Sequence, residues 1–431
     1  MGTIRCSVQE AADLVRTVDS LSLPLGVGQP VGLIHALGER TDWERLDILG
    51  AMLVDFYSLF DHPGVFLKSM FFGPAERIYR DFGRNISFIP ADFRRFARVA
   101  QRHNARVVST MATPPDSDGW MSLSLHAGAN TAELAEAAAD PDRLVIVETS
   151  AAFPHTLGLD SHYEHRLHVD EVDVICESGR SPVVLEDGPV TEVEQAIAAH
   201  AQQFIRSGAT LQTGFGSIPS TIATALAESD LGDFGVHSEM FTTGLYKLHQ
   251  AGKVTNARKG QFQGYSLATF AAGTPDLYAW LDGNSEVRFA PVELVNSPEH
   301  IADNDHMVTI NGAISVDLWG QVTADSIAGH QFSGIGGHED FVSGGGLQSD
   351  DRSLICLPAT ASVGGELVSR IVAQLDPMSI VTTPRHQIDV VITEFGAAEL
   401  SGKTTQERAA ALAGIAHPQF RDQLLETVHI R

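Results

Sequence analysis

The sequence predicts an α/β protein made of two similar open halves, each with a mainly parallel sheet. Three observations carry this reading. The order capped helix, strand, glycine turn, helix, strand occurs twice, once from Ser7 and again from Thr191. Apolar runs such as LVIVET (144–149) and RVVST (106–110) read as buried strands. The 431 residues also exceed what one hydrophobic core usually accommodates, so two domains are expected. The turn chemistry of LEDGPV around Gly188 places their boundary there, giving domains 1–188 and 189–431.

Charge and composition exclude several classes. A formal net charge of −25 repels polyanions and argues against a nucleic-acid partner. Cys6, Cys176 and Cys356 are too few and too scattered for a disulfide framework or a zinc site. The opening MGTIRCSVQ has neither the basic nor the apolar region of a secretory signal, and no apolar run approaches a membrane span. A soluble, cytoplasmic protein without a membrane partner is expected.

In the first half, Ser7 and Glu10 have capping-box spacing ahead of a helix. A strand then leads into the turn GVGQP (26–30) and the helical segment VGLIHAL. The arginines of FRRFARV (93–99) read as a solvated helix face. LVIVET is a strand ending near Glu148. His162, His165 and His168 recur at every third residue, but without a defined fourth ligand they read as surface or loop histidines, and no metal is expected.

The second half repeats the pattern. Thr191 and Glu194 form a second capping box, a strand ends at Gly214, and GFGSIP opens the helical segment STIATAL. A glycine turn between strand and helix exposes backbone N–H groups, and a helix N-terminus favours negative charge. The following strand delivers Glu239. In a β-α-β unit both lie at the carboxyl ends of the strands, so Glu239 and this turn should face one crevice. In the first half the corresponding segment is DILGAMLV, with Leu53 and no carboxylate at the place of Glu239. A solvated glutamate over a packing turn is the plain alternative. Beyond it, Lys253, Arg258 and Lys259 in GKVTNARKG are either phosphate-neutralising cations or a solvated turn. Gly334, Gly336, Gly337 and Gly344–Gly346 suit a backbone brought close to an extended ligand.

Other chemistries fail on spacing. Glu339 stands where a dinucleotide fingerprint would need its last glycine, Ala397 where a P-loop ending at SGKTT would need its first. No serine is flanked by glycines in the nucleophile-elbow pattern, and the cysteines lack an activating neighbour. A carboxylate nucleophile or base supported by glycine loops remains.

The segments LQTGFGSIPSTIATAL, VHSEMFTTGL, GKVTNARKG, TINGAISVDLWGQVTAD, SGIGGHEDFVSGG, SRIV and VTTPRHQIDVVITEFGAAELSGKTTQERAAALAGIAHPQFRDQL, with PPDSDGWMSLS and HVDEVD in the first half, occur in an order that resembles the acetyl-CoA hydrolase/transferase family of CoA-transferases. The resemblance implies two similar α/β domains with the active site between them, coenzyme A or acyl-CoA as substrate with no tightly bound cofactor, a carboxylic acid as second substrate, and a homo-oligomer such as a dimer. It implies Glu239 as the catalytic glutamate, attacking an acyl-CoA and becoming a glutamyl-CoA thioester. It further implies that Gly214, Phe215, Gly216, Ser217 and Ile218 contact coenzyme A and supply N–H donors, that Asn311 and Gly334 contact it too, with Gly336 and Gly337 in the same loop, and that Glu394 and Asn296 support the site.

The chain departs from the family pattern at three places. Glu148-Thr149-Ser150 replaces Glu-Val-Asn near the expected acceptor pocket, Glu366-Leu367 stands where many relatives have a lysine before the Ser-Arg-Ile stretch, and Ser401 replaces an arginine. The leading expectation is CoA transfer from an acyl-CoA to a short-chain acid. Acyl-CoA hydrolysis by the same glutamate and a non-catalytic CoA-binding protein are the alternatives.

Overall fold

The computed structural model describes residues 2–159, 163–186, 188–214 and 216–428, so the expectations for His162 and Phe215 lie outside the described residues. The chain forms two compact units. One comprises the residues up to Leu185 together with Leu267–Val295; the other comprises Glu186–Ser266 and the residues from Asn296 onward. The return of 267–295 to the first unit is fixed by backbone hydrogen bonds, among them Ala271 N–H to Leu125 O (2.9 Å), Phe289 N–H to Leu157 O (2.8 Å) and Val292 N–H to Gly128 O (2.9 Å).

The first unit holds an eight-stranded sheet made of β1 (Ile4–Cys6), β2 (Val18–Leu25), β3 (Arg45–Ala51), β4 (Val65–Ser69), β5 (Ile86–Phe88), β6 (Val107–Ala112), β7 (Leu144–Thr149) and β8 (Val174–Glu177), in the order β1-β8-β7-β6-β2-β3-β4-β5. Every pairing is parallel. Central β6 is buried along its whole length, as expected of a parallel strand covered on both faces. Helix α1 (Val8–Asp13) starts in the expected Ser7–Glu10 capping box, and α2 (Val31–Glu39) follows the GVGQP turn.

The second unit repeats this order. Helix α3 (Glu192–Ala201), opened by the Thr191–Glu194 capping box, precedes β9 (Thr210–Thr213), α4 (Ser217–Glu228) and β10 (Gly235–Val236). With β11 (Met307–Gly312), β12 (Arg352–Cys356), β13 (Val390–Thr393) and β14 (Gly396–Glu399) they form a six-stranded sheet in the order β10-β9-β11-β12-β13-β14. Pairing is parallel except between β13 and β14. Gly216 turns into α4 at φ +125°, a backbone geometry that side chains rarely tolerate. Pro219 sits in the first turn of α4, where its missing N–H goes unused. Ile222, Ala223 and Leu226 give that helix its buried face.

The two glycine turns differ in one respect. In the first unit Glu148, at the end of β7, accepts the Gly32 and Leu33 amides at the start of α2 (3.0 and 2.8 Å). The helix terminus that could have received a ligand anion is thus filled by the chain's own carboxylate. Burial raises the pKa of Glu148, against the pull of its hydrogen bonds.

Among the described residues no group of histidines, cysteines and carboxylates could hold a metal, and no helix is long and apolar enough to cross a membrane. His165 is buried and stacked on Phe289, with Nε2 2.7 Å from Ser124 O; burial lowers its pKa to about 3. His168 lies with Nε2 3.0 Å from Asp118 O. Burial pushes the Cys176 and Cys356 thiols up to about 12, so neither is a ready thiolate.

Candidate active site

Glu239 follows β10 by three residues, at the carboxyl end of the sheet's edge strand. It is half-buried, and its Oε2 accepts a 2.7 Å hydrogen bond from Asn296 Nδ2. The same amide nitrogen donates to Asp340 Oδ2 at 2.9 Å. One NH2 group therefore links two carboxylates. Burial raises the pKa of Glu239 to about 8; the Asn296 hydrogen bond opposes that shift and the Asp340 charge adds to it. A carboxylate so placed is more basic, and hence more nucleophilic, than an exposed one.

The glycine loop before helix α5 (His338–Gly344) closes on this group. A Cβ on Gly337 would overlap Glu239 Oε2, lying 2.8 Å from its Cδ and 2.6 Å from Asn296 Nδ2. Only glycine lets the backbone come this near. Gly336 adopts a left-handed φ of +57°, and Gly334 is buried beside it in the chain. The loop is anchored upstream, where the Phe332 and Ser333 amides donate to Asp325 O (2.8 and 3.0 Å). Gly344 and Gly345 serve packing instead of ligand approach: a Cβ there would come within 2.7 Å of Ile301 and 2.6 Å of Thr309.

The GFGSIP turn is stitched to the segment carrying Glu239. Ser238 Oγ stands 3.4 Å from both the N and the O of Thr213, and donates to Met240 O at 2.9 Å. Gly214 N–H donates to Ile310 O (2.9 Å), which removes it as a ligand donor. The amides of Ser217 and Ile218 open α4, where N–H groups lack an intrahelical acceptor. Gly216 and Ser217 are exposed and Ile218 is half-buried, while the Ser217 hydroxyl bonds the Glu194 carboxylate. Asn311, at the end of β11, is held by Gln212, whose Nε2 lies 3.3 Å from Asn311 Oδ1 and whose Oε1 accepts the Ile310 amide at 3.0 Å.

Glu394 makes its contacts elsewhere, accepting the Ala359 amide at 2.8 Å and facing Arg370. The basic residues of GKVTNARKG are engaged within the protein. Lys253 Nζ donates to Ser229 O (2.6 Å), Arg258 pairs with Asp233, and Lys259 is fully buried. Asp340 and Gln212 escaped the sequence reading. Asp340 follows Gly337 by three residues in GGHED, and Gln212 precedes Gly214 by two, so adjacency to the glycine motifs was the available signal.

Comparison with known proteins places the chain in a family. The acetyl-CoA hydrolase/transferase C-terminal domain matches residues 273–428. The succinyl-CoA:cyclohexane-1-carboxylate CoA transferase of Geobacter metallireducens is 34% identical over 429 residues, covering 98% of this chain and 94% of the relative. The 4-hydroxybutyrate coenzyme A transferase of Clostridium kluyveri is 34% identical over 411 residues, covering 93% and 91%. Among solved structures, RipA from Yersinia pestis superposes with a TM-score of 0.90 at 30% identity, covering 99% of this chain and 97% of RipA. The 4-hydroxybutyrate CoA-transferase of Porphyromonas gingivalis gives 0.78 at 25%, with the same coverage. On this similarity, which runs through both units, the chain belongs to the acetyl-CoA hydrolase/transferase family of CoA-transferases.

Proposed function

We propose that the protein moves coenzyme A from an acyl-CoA to a short-chain carboxylic acid, with Glu239 as the nucleophile. The carrying observation is the Glu239 carboxylate, held by Asn296 and raised in basicity, against the backbone of Gly337. In its ionised form a Glu239 oxygen attacks the thioester carbon; the C–O bond forms, the C–S bond breaks, and CoA leaves as thiolate. The thiolate then attacks the glutamyl carbonyl of the mixed anhydride, releasing the donor acid and leaving a glutamyl-CoA thioester. The acceptor carboxylate reverses the sequence and restores Glu239.

Each tetrahedral intermediate carries an oxyanion that needs N–H donors, each worth on the order of 3 kcal/mol. The amides of Gly216, Ser217 and Ile218 at the start of α4 suit that role, with the dipole of a 12-residue helix behind them. Asn311 and the loop of Gly334, Gly336 and Gly337 are the further proposed contacts to CoA. Glu394 is assigned a supporting role through the Ala359 turn it caps.

Water in place of an acceptor acid would make the same site a hydrolase, as the name of the Yarrowia lipolytica acetyl-CoA hydrolase, 25% identical over 288 residues, states for that relative. A panel of acyl-CoA donors and short acids, with free thiol measured alongside, separates the two. New acyl-CoA forming only with an acid present, and abolished in Glu239→Ala, is the expected result. Stoichiometric free CoA without acid would replace transfer by hydrolysis, and CoA binding without turnover in any pair would overturn both.

A further inference from the structure

Strand β10 is two residues long and lies at the edge of its sheet, yet it launches Glu239. On its inner side it pairs with β9 through Gly235 N–H to Ala209 O (3.0 Å) and His237 N–H to Leu211 O (3.1 Å). The peptide groups of Val236 therefore point outward, where an edge strand presents unpaired donors and acceptors. Here two side chains take the place of a neighbouring strand. Asn256 Oδ1 accepts the Val236 N–H at 2.9 Å, and Lys259 Nζ donates to the Val236 carbonyl at 2.9 Å and to Tyr265 O at 3.0 Å.

Lys259 is 0% exposed, and among the described residues no carboxylate pairs with it. A buried lysine without a counter-ion is an expensive arrangement, so its position calls for a reason. Its stem crosses Gly235 so closely that a Cβ there would lie 3.0 Å from Lys259 Cδ and 3.1 Å from Thr210 Oγ1. Residues 255 and 256 donate to Phe234 O (3.0 and 2.9 Å), tying the loop to the strand one residue earlier.

We infer that Lys259 is a positioning residue for Glu239: with Asn256 it clamps the outward peptide groups of Val236 and fixes the direction in which Ser238 and Glu239 leave the sheet. This rests on the reading of Glu239 as nucleophile. The carbonyl gripped by Lys259 is three residues before Glu239, and the inner face is held by β9, so the segment is fixed from both sides. A displacement of about 1 Å at a reacting group can lower a rate by about 100-fold.

The test uses the full chain and acyl-CoA without acceptor, with single-turnover formation of the CoA adduct on Glu239 followed by mass spectrometry, beside steady-state kinetics. Lys259→Met keeps the stem and removes the donors; kcat and the adduct rate should fall about 30-fold while KM for acyl-CoA changes less than threefold. Leu412→Ala, a buried core substitution in the same unit, controls for general loosening and should leave kcat within twofold at a comparable drop in melting temperature. Asn256→Gly is the second variant: Asn256 has φ +55°, which glycine adopts freely, so the turn is kept while its side-chain clamp is lost. It should lower kcat about tenfold whether or not Lys259→Met folds. Wild-type adduct rates in both clamp variants, or an equal loss in Leu412→Ala, would overturn the inference while leaving Glu239 as nucleophile. Absence of an adduct in the wild type during turnover would overturn both.

Discussion

Gly337 and Glu239 are in such close contact that a single methyl group at position 337 has no room beside the Glu239 carboxylate. The backbone of Gly337 itself is unstrained at φ −86°, so alanine is compatible with the turn and the conflict falls on the side-chain ends of Glu239 and Asn296. Gly337→Ala should therefore fold normally, with a melting temperature near wild type, and lose about 100-fold in kcat as the carboxylate is displaced. Circular dichroism melts and steady-state kinetics check both halves of this expectation.

The raised pKa of Glu239 links its ionisation to activity. The nucleophile must be ionised, so kcat/KM should rise with pH through an acid limb near pH 8. Removing the like charge in Asp340→Asn should move that limb to lower pH. Asn296→Ala removes the hydrogen bond that favours the ionised form and should move it to higher pH, with a lower plateau. Opposite shifts from two neighbours of one carboxylate are measured by pH–rate profiles of the three proteins.

The same shift makes a statement about stability. A carboxyl whose folded pKa is raised contributes stability that is fully present below its unfolded pKa and is lost as pH rises through the folded one. For Glu239 the window runs from its ordinary 4.5 up to about 8. Glu239→Gln should thus become progressively more stable than wild type across that window, by up to on the order of 5 kcal/mol, since the window spans about 3.5 pH units and each is worth about 1.4 kcal/mol. Urea titrations at pH 5, 6.5 and 8 give the comparison.

In the first unit, Glu148 satisfies two amides that open α2. Glu148→Ala leaves the Gly32 and Leu33 N–H groups without their acceptor and should lower stability by about 2 kcal/mol. Denaturant unfolding followed by a probe in the first unit reads this directly.

The repeated order of elements was legible because both capping boxes and both glycine turns keep their spacing in the chain. Ser7–Glu10 and Thr191–Glu194 start helices as expected, and Glu239 follows the strand that the pattern required. The role of the first glycine turn was hidden, since Glu148 reaches it from 116 residues away. The return of Leu267–Val295 to the first unit likewise depends on pairings such as Ala271 with Leu125, which leave no local mark. Lys259 shows a third kind of gap. Three basic residues within GKVTNARKG look alike in sequence, but only the fold decides that one is buried under β10 while Arg258 forms a surface ion pair. Asp340 is silent for the same reason, because a carboxylate three residues past a glycine loop reads as a helix-start residue until Asn296 is seen bridging it to Glu239.

The most direct measurement is rapid quenching of the enzyme with acyl-CoA, followed by peptide mass spectrometry across the segment containing Glu239. A CoA adduct on Glu239 that forms at least as fast as turnover and disappears on adding a short-chain acid is the predicted result. Full turnover with Glu239 unmodified at every time point would contradict it.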